Sequence, residues 1–230
     1  MNLTGKVFII TGALGALGQA VTVCLTAHGA KLALLGNRVR PGVEHPAGAL
    51  IYTGVDLSRK DAASAIFERV FKEMDRIDGL VNLAGGFQWE KFAGGSLETW
   101  ESMFRSNLLT AVVSCGAVLP HLLRAKRGAI VNIGATGANK ATCGMGAYAA
   151  SKAGVVKLTE ALADEVKDQG ITVNAVLPSI IDTPLNRANM PDADFTRWVS
   201  PMAVAEATAF LVSDLARAIS GAALPLAGRA

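Results

Sequence analysis

Short apolar runs alternate with longer amphipathic stretches along nearly the whole chain. Lys6-Val7-Phe8-Ile9-Ile10 is apolar and β-branched, with no polar alternation, a pattern that suits a strand buried on both faces. The same reading predicts strands near 6–11, 31–35, 49–54, 78–83, 129–133, 171–177 and 222–226. Apolar positions at helical spacing predict helices near 16–28, 59–75, 97–123, 147–168 and 202–213. Repeated β–α alternation predicts an α/β fold: a single-domain, Rossmann-type doubly wound parallel sheet flanked by helices, spanning residues 1–230. Ligands of such sheets bind at the carboxyl ends of the strands. Pro41, Gly42, Pro46 and Gly48 make the stretch from Arg38 to Leu50 read as loop, too short for a complete second helix. Residues 184–200, rich in Asn, Pro and Asp, read as a mobile lid over a substrate.

Composition narrows the function. A chain of 230 residues is long enough to bury a substantial α/β core. Its charge of +3 is mild and spread out, with no basic run interleaved with aromatics, which argues against nucleic acid as a partner. Cys24, Cys115 and Cys143 are odd in number and lack zinc spacing, so they read as reduced thiols of a cytoplasmic protein. His28, His45 and His121 are scattered too, and no metal is expected. The first strand begins almost at once, leaving no room for a signal peptide. Ser106 to Leu123 lacks formal charge, yet Asn107, Ser114, Pro120 and His121 interrupt it. A buried helix fits it better than a membrane span.

Two local patterns carry chemistry. Directly after the first strand, Thr11-Gly12-Ala13-Leu14-Gly15-Ala16-Leu17-Gly18 leads into a helical stretch. Strand, glycine-rich turn and helix N-terminus together cradle a phosphate, because glycine lets the backbone approach and the helix end offers N–H donors. That placement predicts a dinucleotide. Later, Tyr148 and Lys152 stand four residues apart in Gly-Ala-Tyr-Ala-Ala-Ser-Lys-Ala-Gly. On a helix they share a face, and an ammonium beside a phenol lowers the phenol's pKa from its usual value of about 10. The pair is then a proton donor and acceptor for work near neutral pH.

In these motifs and their order the chain resembles the short-chain dehydrogenase/reductase family over essentially its whole length. Gly12 and Gly18 match the family's glycine signature, while Ala16 stands at the middle glycine with Gly15 one place earlier. Asn82, Ala84 and Gly85 match the Asn-Asn-Ala-Gly stretch, with Leu83 for the second Asn; Asn107 matches the helix-four asparagine. Pro178 and Thr183 match the segment that holds the nicotinamide amide, with Ser179 in place of Gly. The resemblance implies a cofactor set of Gly12, Leu14, Gly15, Ala16, Leu17, Gly18, Asn37, Arg38, Asp56, Leu57, Asn82, Ala84, Gly85, Pro178, Ile181 and Thr183. It implies that Tyr148 exchanges the proton, that Lys152 tunes it and binds the nicotinamide ribose, and that Asn107 holds a water leading to solvent. Gly36 stands where NAD-preferring relatives carry an acid, and Arg38, with Arg40 nearby, suits a 2′-phosphate. NADP(H) is therefore favoured over NAD(H). A homodimer or homotetramer is also implied, and small residues from Ala111 to Leu119 and Ala147 to Val156 are compatible with it.

One departure bears on the substrate. The family's usual serine, thirteen residues before the tyrosine, is Ala135 here, which has no side-chain donor. Three readings compete: Thr136 takes over, the substrate needs no such bond, or catalysis has been lost. The second is favoured, because Ala84-Gly85-Gly86-Phe87 and the segment from Val176 to Trp198 resemble the dihydropteridine reductase branch. A quinonoid pterin accepts hydride into an electron-poor ring, and Phe87, Trp89 and Trp198 offer it flat apolar surface. The expected activity is hydride transfer between nicotinamide and a small substrate of this kind. A carbonyl/alcohol oxidoreductase and a non-catalytic nucleotide sensor are the alternatives.

Overall fold

A computed structural model describes residues 1–37 and 45–229. Strands run over β1 (Val7–Thr11), β2 (Lys31–Gly36), β3 (Leu50–Thr53), β4 (Gly79–Asn82), β5 (Gly128–Ile133), β6 (Ile171–Pro178) and β7 (Ala223–Leu226). Helices are α1 (Ala16–Ala27), α2 (Lys60–Met74), α3 (Leu97–Met103), α4 (Thr110–Ala125), α5 (Gly146–Val166), α6 (Pro184–Asn189) and α7 (Pro201–Leu211). The strands form one parallel sheet in the order β3-β2-β1-β4-β5-β6-β7.

Side chains alternate across each strand and so divide the core between two faces. Phe8, Ile10, Leu32, Leu34 and Val131 pack with Val21 and Leu25 of α1 and Val204, Ala205 and Ala209 of α7. Ile9, Ala33, Leu35, Leu80 and Ile130 pack on the other face with Phe67 of α2, Val118 and Leu122 of α4, and Leu162 and Val166 of α5. Burial on both faces explains why the strands read as continuous apolar runs. The direction of winding reverses between β1 and β4, which opens a crevice at their carboxyl ends.

Two expectations change in detail, and a third lies largely outside the described residues. The helix expected at 97–123 is a continuous rod, but Phe104–Leu109 is a π-helical segment between α3 and α4. Ser106 Oγ donates to the Ser102 carbonyl and Thr110 Oγ1 to the Ser106 carbonyl, both at 2.7 Å. Such bonds from a side chain one turn back loosen and bend a helix at that point. The region 184–200 contains a short helix that its composition did not suggest: Thr183 caps α6, its hydroxyl accepting from Asn186 N, and Pro184 sits at the first helical position. Of the loop expected from Arg38 to Leu50, only its last residues are described, as a turn in which Ala49 N donates to the Pro46 carbonyl.

Leu97–Ala125 is long and apolar enough to cross a membrane by length and composition. Here Cys115, Val118 and Leu122 pack into the core against α2, α5 and the sheet, while Leu97, Phe104 and Val112 are exposed.

Candidate active site

The turn after β1 is shaped by two glycines. Gly12 has φ +65°, and a β-carbon there would come within 2.8 Å of Leu83 and Ala84 backbone atoms. A β-carbon on Gly18 would collide with the Ala13 carbonyl and lie 2.5 Å from that of Gly12. Gly15 differs: its φ is −80°, and nothing but the Gly12 carbonyl, at 3.4 Å, would approach a β-carbon. Ala16, at the place of the family's middle glycine, begins α1.

No side chain caps α1, and no acidic residue stands in its first turn. Its leading N–H groups and positive dipole end are left for an external anion. The turn forms one wall of a cleft of about 960 Å³, with Gly36, Asn37, Val55 and Leu57 beyond it. Leu83, Ala84, Gly85, Thr183, Pro184 and Leu185 complete the lining. An uncapped helix end, glycines where a β-carbon would intrude and a cleft of this size fit a dinucleotide.

The chemistry-bearing residues gather beside Gly85. A β-carbon there would strike Asn107 Oδ1 and lie 3.5 Å from Lys152 Nζ, so both side chains stand beside this cleft residue. Asn107, on the π-helical segment and 1% exposed, accepts from Gly86 N at 2.8 Å and donates to Ser151 Oγ at 3.0 Å. Ser151 in turn donates to the Tyr148 carbonyl at 2.7 Å. Gly154 lets the two helices approach this closely, because a β-carbon there would press on Leu108. Lys152 Nζ donates to the Ile133 carbonyl at the end of β5, at 2.8 Å. Phe87 stands edge-on to the Tyr148 ring, centroids 5.0 Å apart at 82°.

The electrostatics correct one expectation. Burial pushes the Tyr148 phenol up to about 12 and the Lys152 ammonium down to about 8. Lys152 was expected to depress the phenol. Among the protein groups, desolvation prevails instead, and it disfavours the charged form of each residue.

The other expected site residues divide. Asn82 is buried: its amide donates to Asn132 Oδ1 at 2.8 Å, and its side chain is absent from the cleft lining. Asp56 is exposed, and hydrogen bonds from Ser58 hold its carboxyl below the usual range. Pro178 ends β6, and Ile181 bridges to Val199. Ala135 is 6% exposed, whereas Thr136 beside it is half-buried with no hydrogen bond from its hydroxyl among the described residues. Trp89 donates from its indole to the Cys143 carbonyl at 3.0 Å and lies against Gly144, clasping two loops together. Trp198 is 9% exposed, packs on Phe195 and does not line the cleft. Arg38 lies outside the described residues. Among those described, no three His, Cys, Asp or Glu side chains converge as a metal site would require.

Sequence reading missed Ser151, Val55, Pro184 and Leu185. Ser151 carried a usable signal, since it stands three residues from Tyr148 and so shares a helix face with it. The others line the cleft only because separate strands end side by side.

Comparison with known proteins agrees with this geometry. Residues 6–194 match the short chain dehydrogenase family model. The 3-oxoacyl-(acyl-carrier-protein) reductase FabG of Escherichia coli (strain K12) is 32% identical, over 99% of this chain and 98% of its own. D-threitol dehydrogenase of Mycolicibacterium smegmatis is 34% identical over 99% of this chain and 93% of its own. The ligand-free structure of aldohexose dehydrogenase from Thermoplasma acidophilum superposes with a TM-score of 0.89 at 30% identity, covering 99% of this chain and 94% of that one. The expected likeness to dihydropteridine reductases has no counterpart among these relatives, whereas the broader family likeness does.

Proposed function

This chain belongs to the short-chain dehydrogenase family, and from that premise we propose that it is an NAD(P)(H)-dependent oxidoreductase acting on a small molecule's carbonyl–hydroxyl pair. The carrying observation is that Gly85 of the cleft stands beside Asn107 and Lys152, while Phe87, two residues on, touches Tyr148. A bound nicotinamide supplies the hydride in reduction and accepts it in oxidation. The protein does the rest. The turn from Gly12 to Gly18 holds the pyrophosphate, Val55 and Leu57 offer apolar surface, and Thr183 to Leu185 close the far wall. Tyr148 gives its phenolic proton to the substrate oxygen in reduction and takes one back in oxidation. Lys152 stabilises the phenolate left behind, and Asn107 and Ser151 fix both residues in place.

A 3-oxoacyl group, D-threitol and an aldohexose appear in the names of the relatives, and each bears a carbonyl or hydroxyl carbon. That favours the carbonyl/alcohol reading, with Thr136 as the second donor to the substrate oxygen. A quinonoid dihydropterin is the second reading, supported by Ala135 and by the edge-on Phe87. Thr136→Val separates the two. It is expected to slow carbonyl reduction by about 10²-fold, the scale of losing one donor to a developing oxyanion. Pterin turnover would be unchanged. A panel of 3-oxoacyl esters, aldehydes, sugar alcohols and quinonoid dihydropterin, run with NADPH and NADH, tests the whole proposal. Nucleotide binding without turnover of any of them would point to a sensor.

NADP(H) is favoured because position 36 cannot easily carry an acid. A β-carbon on Gly36 would lie 2.6 Å from Leu14 Cγ. Gly36→Asp alone should therefore weaken both nucleotides. Gly36→Asp with Leu14→Ala should shift preference towards NADH, read by fluorescence titration. Equal gain of NADH affinity in the single variant would show that Leu14 is no obstacle. A cytoplasmic homo-oligomer completes the proposal.

A further inference from the structure

A second cavity opens at the opposite end of the strands, where β1, β4, β5 and β6 begin. It measures about 340 Å³, within the range of small-ligand sites but much smaller than the dinucleotide cleft. Its lining holds five cations, Lys6, Lys126, Arg127, Lys167 and Arg217, against two carboxylates, Asp78 and Asp214. Lys167 also pairs outside the lining with Asp164, at 2.9 Å, which offsets part of the lining's excess of three positive charges.

The carboxylates are oversubscribed. Asp214 Oδ1 accepts from Lys6 at 2.6 Å and from both Nε and Nη2 of Arg217, at 3.2 and 2.9 Å. Those bonds hold its carboxyl below the usual range, so it stays an anchor at neutral pH. Asp78, itself buried, takes a two-pronged contact from Arg76 and lies 3.6 Å from Arg127. A guanidinium has five donors and an ammonium three, so most of the donor capacity around the cavity is left over. No carboxylate among the described residues lies within ion-pair reach of Lys126.

Lys126 is also conformationally expensive. It caps α4 at φ +51°, where glycine or asparagine is the low-strain choice. Its carbonyl packs close to the neighbouring turn, since a β-carbon on Gly170 would lie 2.5 Å from it. A left-handed backbone thus places a lysine at the rim of a cationic cavity.

We propose that this cavity binds a small polyanion bearing a phosphate monoester or diphosphate group, apart from the dinucleotide cleft. Lysine and arginine clusters of this kind recognise such groups by charge-assisted hydrogen bonds.

The test is calorimetric titration of inorganic pyrophosphate, at low ionic strength, into protein saturated with NADPH. One saturable event per chain is expected, weakened at least tenfold by Lys126→Gln combined with Arg217→Gln and unaffected by Lys157→Gln on α5. Lys126→Asn guards against misfolding as the cause of any loss. It relieves the left-handed backbone, so its Tm should hold or rise while pyrophosphate affinity falls severalfold. No saturable heat with NADPH present, or equal affinity in all variants, would overturn the proposal. Displacement of NADPH by pyrophosphate without a second event would assign the binding to the dinucleotide cleft and overturn it as well.

Discussion

Tyr148→Phe is expected to lower kcat by two to four orders of magnitude, the range general acid–base groups supply, while nucleotide Kd changes less than about threefold. The substitution removes one hydroxyl and keeps the ring, so the edge-on contact with Phe87 and the Ser151 bond to the residue 148 carbonyl survive. Stopped-flow or steady-state assays beside fluorescence titration separate the two quantities. Undiminished turnover would remove Tyr148 from its role without touching the nucleotide site. The pH profile gives an independent check. With the phenol at about 12, Tyr148 remains a proton donor across the working range. The Lys152 amine, brought from 10.5 to about 8, is neutral at pH 9, where a lysine in open water is charged. Reduction should therefore run level below about pH 8 and slow above it, as the cation that steadies the nascent phenolate is lost. A profile level through pH 10 would show that Lys152 acts by position alone.

Gly18→Ala should raise nucleotide Kd at least tenfold and lower Tm by several degrees. Two effects oppose each other. Alanine gains about 1 kcal/mol over glycine in a helix interior. Forcing a methyl into a filled space costs about 1–3 kcal/mol, and here the obstacles are the Ala13 and Gly12 carbonyls rather than movable side chains. Backbone cannot swing aside, so the clash wins. Rigid backbone obstacles place the cost in the upper part of that range, about 2–3 kcal/mol, and the net loss of about 1–2 kcal/mol corresponds to roughly 2–8 °C in a domain of this size. Gly15→Ala is the milder comparison: its φ is ordinary and its nearest obstacle lies at 3.4 Å, so its losses of melting temperature and of nucleotide affinity should both be smaller than those of Gly18→Ala. If the two variants behaved alike, steric fit of the turn would not explain why Gly18 is required.

The central strands were legible because they are buried on both faces and must therefore be apolar throughout; Val7 to Thr11 is fully buried, as its composition implied, whereas the edge strands β3 and β7 are largely exposed. The π-helical segment was not legible, because apolar spacing cannot distinguish one extra residue per turn from an ordinary helix. Yet that segment carries Asn107. Within 184–200 the Thr183 and Pro184 start signal was outweighed by Asn, Pro and Asp content, and α6 was missed.

The site divides the same way. Local spacing was enough to bring Tyr148, Ser151 and Lys152 onto one helix and to set Gly12 and Gly18 in one turn, since those relations depend on a few bonds of backbone. Which cleft residues stand beside Lys152, why Leu14 blocks position 36 and why the phenol is raised rather than lowered depend on contacts between distant segments. Burial is a property of everything packed around a group, so the charge state of Tyr148 and Lys152 belongs to the assembled fold and not to the four residues between them.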